Sequence, residues 1–134
     1  MASACLAGAA CRYNGEARTD EKIRALFQRG MLVPFCPELL GGMEVPRPAM
    51  VLSGGDGGAA LDGTARVLTR DGGEDRTAAM LEGARRSLAI AQAVRPETIF
   101  LKARSPSCGC GAGGVEGVAA ALLRRGGFSL DSIE

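Results

Sequence analysis

Three short runs of small or apolar residues each open into a turn that carries a cysteine. Ala2 to Ala4 leads to Cys5, Met31 to Phe35 to Cys36, and Thr98 to Leu101 to the segment RSPSCGCGAGG, which holds Cys108. Apolar runs of this length without alternation read as strands buried on both faces. Strand and helix candidates follow one another along the chain, and strands alternating with helices imply a mostly parallel sheet. A chain of 134 residues is long enough for one core and too short for two ordinary domains. The expected fold is therefore α/β: a single three-layer domain over residues 1–134, with a mostly parallel central sheet flanked by helices.

The helical segments are legible from spacing. Thr19 can cap a helix over Asp20 to Arg29, with Ile23, Leu26 and Phe27 on one face and Gly30 just past its end. The longest helix opens at Asp75 or Thr77 and runs to about Ala93, stacking Leu81, Ala84, Leu88 and Ala91. A last helix spans Val115 to Arg125 with Val118 and Leu122 inward and Arg124 and Arg125 complementing its dipole. Val51-Leu52, Thr64 to Leu68 and Phe128 to Leu130 are short strand candidates, and 41–48 and 53–58 read as loops. Pro34 puts its run near a strand end or a sheet edge.

Charge and composition narrow the function. A formal net charge of +1 supplies no field for a nucleic acid or an anionic membrane. No apolar run approaches the ~18 residues of a membrane helix, and Met1 to Ala10 lacks the basic start of a signal peptide. A cytoplasmic protein with a small-molecule partner is expected, as a monomer or weak homodimer. The absence of histidine removes the commonest general base and the Cys–His nucleophile pair. Five cysteines, an odd number spread along a cytosolic chain, favour thiolate or metal chemistry over a disulfide framework.

If the three runs are parallel strands, Cys5, Cys36 and Cys108 converge at their carboxyl ends, where open α/β sheets hold their ligands. Any one of them alone reads more simply as a small buried hydrophobe. Together, in turns rich in glycine and proline, they suit metal ligation. A structural zinc site would take four ligands, usually as Cys-x₂₋₄-Cys pairs, and Cys108-x-Cys110 is too tight for that. Three thiolates point instead to a metal or cluster with one open position. Glu38, two residues after Cys36, is the natural proton carrier in a chain without histidine, or else only solvates a helical turn. Ser105 and Ser107 can donate hydroxyls or simply make the turn, and Lys102 can lend positive charge. Cys11 reads as a bystander, and the role of Cys110 stays open.

The segments SACLAGAACRYNG, PFCPELLGGMEVPRP and LKARSPSCG, in this order and joined by a GARRSL helix, resemble the signature segments of the thiouracil desulfidase family, long catalogued as a domain of unknown function. The resemblance covers nearly the whole chain. It implies an α/β domain with a [4Fe–4S] cluster held by Cys5, Cys36 and Cys108, one iron not bound by protein and free to take the sulfur of a thio-substituted nucleobase. It implies Glu38 and Ser105 as catalytic residues, and non-redox desulfuration of a thiouracil-like base or nucleotide to the oxo-base and sulfide. The alternatives are a non-catalytic iron–sulfur or zinc module, or a thiol redox protein using Cys108 and Cys110. One departure stands out: only GCGAGGVEG separates the third segment from the last helix, shorter than the family pattern.

Overall fold

A computed structural model describes residues 1–134. Four parallel strands form the central sheet: β1 (Ala2–Ser3), β2 (Pro34–Phe35), β5 (Ile99–Lys102) and β6 (Leu130–Ile133), in the order β2-β1-β5-β6. A separate antiparallel hairpin is built from β3 (Met50–Ser53) and β4 (Arg66–Thr69), which enclose the short helix α3 (Gly57–Leu61). The other helices are α1 (Glu21–Gln28), α2 (Pro37–Leu40), α4 (Thr77–Val94) and α5 (Val118–Arg125), with a 3₁₀ turn at Ala4–Ala7. The expected parallel α/β sheet is present. No helix is long and apolar enough to cross a membrane.

Alternation along β5 divides the core. Ile99 and Leu101 face α4 and α5 and pack with Phe35, Ala91, Ala120 and Leu123, whereas Phe100 lies on the opposite face with Leu6, Ile23 and Leu32. Complete burial of Ile99 and Leu101 contributes ~1.5–3 kcal/mol each. A third cluster, with Met50, Val67, Met80 and Val118, ties the hairpin to α4 and α5.

Several local expectations shift for physical reasons. Asp20, not Thr19, caps α1, its carboxylate accepting the Lys22 and Ile23 N–H groups. The run Met31 to Phe35 is strand only at Pro34–Phe35, and Met31 is 64% exposed. Proline has no N–H to give to an outer neighbour, and β2 is indeed an edge strand. The buried stripe of α4 includes the expected Ala84 and Ala91 but is displaced elsewhere, where Met80, Gly83 and Ser87 are buried and Leu81 and Leu88 only partly so. Helix α3 arises within a stretch whose glycines hide its periodicity.

Gly83 explains the displaced stripe. A Cβ there would overlap the Pro37 carbonyl oxygen, so its absence lets α4 close on α2, whose Leu40 carbonyl also accepts from Arg86 at 2.7 Å. Gly83→Ala is expected to cost ~1–3 kcal/mol by overpacking, read as a fall of several degrees in the melting midpoint. An unchanged midpoint would mean that α2 yields freely.

Candidate active site

Each turn leaving the carboxyl end of a central strand delivers a thiol to one cavity of about 360 Å³. Cys5 sits in the 3₁₀ turn after β1, Cys36 is the residue between β2 and α2, and Cys108 ends the turn after β5. All three line the cavity, and each lies close enough to the others that ionising one opposes ionising the next. Their surroundings differ. Burial pushes the Cys108 thiol up to about 12, with Ser3 and Ser107 acting against it. The hydrogen bond with Cys11 followed by burial raises Cys36, whereas the hydrogen bond from Cys11 lowers Cys5.

The turn that presents Cys108 is held from several sides. Arg104 adopts φ 55°, a left-handed conformation that costs a non-glycine residue on the order of 1 kcal/mol. The Ser105 hydroxyl accepts the Ser107 and Cys108 N–H groups at 3.2 and 3.1 Å. The first N–H groups of α5 bond the carbonyls of Pro106 and Ser107, at 2.9 Å for Val118 and Ala119, in place of a side-chain cap. This approach requires Gly117, where any Cβ would overlap the Ser107 carbonyl. The glycines after Cys108 thus dock the turn on α5.

Glu38 lies at the second position of α2 and is 7% exposed. Its Oε2 accepts from Arg47 Nε at 2.7 Å and Arg47 Nη2 at 2.5 Å, and its Oε1 accepts from Ser107 Oγ at 2.9 Å. Ser107 Oγ is in turn 3.0 Å from Ser105 Oγ and 3.7 Å from Cys108 Sγ. A carboxylate, two hydroxyls and a thiol therefore form one connected network along the cavity wall.

The model of the 2-thiouracil desulfurase family matches residues 1–133. The chain belongs to this family. It is 42% identical over 142 residues to the uncharacterized protein YbbK of Bacillus subtilis (strain 168), covering 98% of this chain and 93% of that protein. It is also similar to a solved structure of the [4Fe–4S]-dependent thiouracil desulfidase TudS, with a TM-score of 0.82 and 34% identity over 98% of this chain and 87% of that one.

In this member of the 2-thiouracil desulfurase family, Cys5, Cys36, Cys108, Glu38 and Ser105 all line the one cavity. So does Cys11, read from sequence as a bystander, which lowers the acidity of Cys36 and raises that of Cys5. Cys110 instead faces Ser132 on a separate hollow. Lys102 lines the cavity, donates to the Ala103 carbonyl at 2.5 Å, and has its pKa lowered by burial. Two features escaped the sequence. Of the two serines, Ser107 rather than Ser105 touches Glu38 directly, and Arg47, unremarked between two prolines, turns out to be the carboxylate's ionic partner. The only signal for Arg47 is its place within PFCPELLGGMEVPRP.

Proposed function

We propose that this chain is an iron–sulfur desulfidase that replaces the sulfur of a thio-substituted pyrimidine base or nucleotide with oxygen, releasing sulfide without net redox change. The observation that carries this reading is the meeting of three thiols from three strand ends with a buried carboxylate around one cavity. The donor set fits a [4Fe–4S] cluster. All three donors are soft thiols, the ligand type that iron–sulfur clusters take, and they reach the cavity from three separate turns. Cys5, Cys36 and Cys108 would hold the cluster, leaving one iron without a protein ligand. When bound, the cluster supplies a soft Lewis acid for the thiocarbonyl sulfur.

The remaining work falls to the chain. Water attack at the thiocarbonyl carbon requires a proton acceptor, and Glu38 is the one buried carboxylate on the cavity. It takes the proton from water and returns it to the departing sulfur, so that thiocarbonyl and water become carbonyl and hydrogen sulfide. Ser107 links Glu38 to Ser105, giving the proton a path of hydroxyls along the wall. Phe35, Pro37 and Met50 provide apolar lining for the ring.

Charge on the rim bears on the substrate. Arg12, Arg70, Lys102 and Arg104 line the cavity; Glu38, its one acidic lining residue, is matched by Arg47, and Arg12 and Arg104 pair with Glu16 and Glu134 at 3.8 and 3.5 Å, which leaves Arg70 and Lys102 without an ionic partner. A wall of this sign favours an anionic substrate, and a nucleotide phosphate meets that need better than a free base. Arg70→Ala is expected to raise KM for a thio-pyrimidine nucleoside monophosphate a few-fold, the effect of ~1 kcal/mol from an exposed charge pair, and to leave KM for 2-thiouracil unchanged. Equal changes for both would count against phosphate recognition at Arg70.

Anaerobic purification tests the central reading. The protein is expected to be brown, with roughly equal iron and sulfide, and to release sulfide from 2-thiouracil or its nucleotides. Colourless, zinc-loaded protein without this activity would favour the non-catalytic module.

A further inference from the structure

Arg47 also lines the cavity, yet it is committed elsewhere than the other basic residues. Its side chain is 4% exposed, and four of its five N–H donors have partners within the protein. Nε and Nη2 both reach Glu38 Oε2, Nη2 also reaches the Cys11 carbonyl at 2.9 Å, and Nη1 reaches the Glu44 carbonyl at 3.0 Å. Its own backbone N–H donates to the Tyr13 carbonyl at 2.8 Å. Arg70 has no ionic partner and can meet a substrate anion, whereas Arg47 has no donor pair to spare for one.

We infer that Arg47 is a positioning residue for Glu38. Its planar fork fixes one carboxylate oxygen while Ser107 fixes the other, so the plane of the carboxylate is set from both sides before any substrate enters. The bonds to the Cys11 and Glu44 carbonyls anchor the fork itself to two segments that flank the cavity. A lysine offers a point charge but no fork, so it keeps the ion pair and loses the orientation. The inference rests on Glu38 being the proton carrier.

Arg47→Lys, purified anaerobically, is expected to keep wild-type iron and sulfide per chain, to lower kcat about a hundredfold, the cost of a carboxylate misplaced by about an ångström, and to leave KM within twofold. In Arg47→Ala, added guanidinium at millimolar concentration is expected to restore part of kcat, which a merely structural role would not permit. A raised KM with unchanged kcat would overturn the inference in favour of substrate binding. A folded lysine variant that no longer holds iron would overturn it in favour of a role in shaping the cysteine turns. A readout without turnover separates this from the functional reading: in cluster-free protein, Arg47→Met should melt lower than wild type, and adding Glu38→Gln should recover part of that loss. If wild type releases no sulfide from any thio-pyrimidine, the desulfidase reading fails while this coupling is still measured, and additive effects of the two substitutions would overturn the pairing itself.

Discussion

Replacing Cys36 by serine is expected to leave a folded chain that holds no cluster. Iron and sulfide should drop from roughly four of each per chain, the content of a [4Fe–4S] centre, to background. A serine hydroxyl occupies nearly the same volume but is a hard donor that keeps its proton near neutral pH, and soft iron sites select thiolate. With only three protein ligands proposed, none is redundant, so Cys5→Ser and Cys108→Ser should behave alike. Cys11→Ser is the control with diagnostic value, because Cys11 lies beside both Cys5 and Cys36. It is expected to retain the cluster. Melting of the cluster-free proteins separates lost ligation from lost folding, and full cluster content in Cys36→Ser would remove that residue from the ligand set.

Glu38→Gln is expected to keep the cluster and lower sulfide release per bound cluster by ~10²–10⁴-fold, the usual worth of a positioned proton carrier. Glutamine preserves the shape and can still accept from Ser107, but it can no longer take a proton from water. The substitution also strands the buried Arg47 charge, at a cost on the order of 3 kcal/mol, which is a sizeable part of the 5–15 kcal/mol typical of a domain. Activity must therefore be normalised to cluster content and measured well below the melting transition. Turnover per cluster equal to wild type would withdraw Glu38 from the chemistry and leave it as Arg47's structural partner.

Both substitutions fall on residues that the sequence singles out, and the reason is local. Cys36 and Glu38 are punctuated by Pro37 between a short strand and a short helix, so their position at a strand's carboxyl end follows from chain order alone. The same holds for Cys108, in a turn whose glycines and proline exclude regular structure. Element boundaries are less legible where tertiary contacts override propensity. Met31 and Val33 look like core and are exposed because the strand they would extend lies at the sheet edge, and α4 turns a glycine inward because α2 must pass close beside it.

By itself the sequence determined the strand–turn–helix succession, the parallel α/β class, and the convergence of Cys5, Cys36 and Cys108 on one edge, since all of these depend on periodicity and chain direction. The tertiary structure decided what surrounds them. Arg47 reaches Glu38 across a sequence separation of nine, mostly irregular chain, Ser107 reaches it across one of 69, and Cys11 folds back onto the cavity that Cys5 and Cys36 line. No periodicity encodes such contacts. They exist because a buried carboxylate requires partners for both of its oxygens, and only the packed fold determines which donors are within reach.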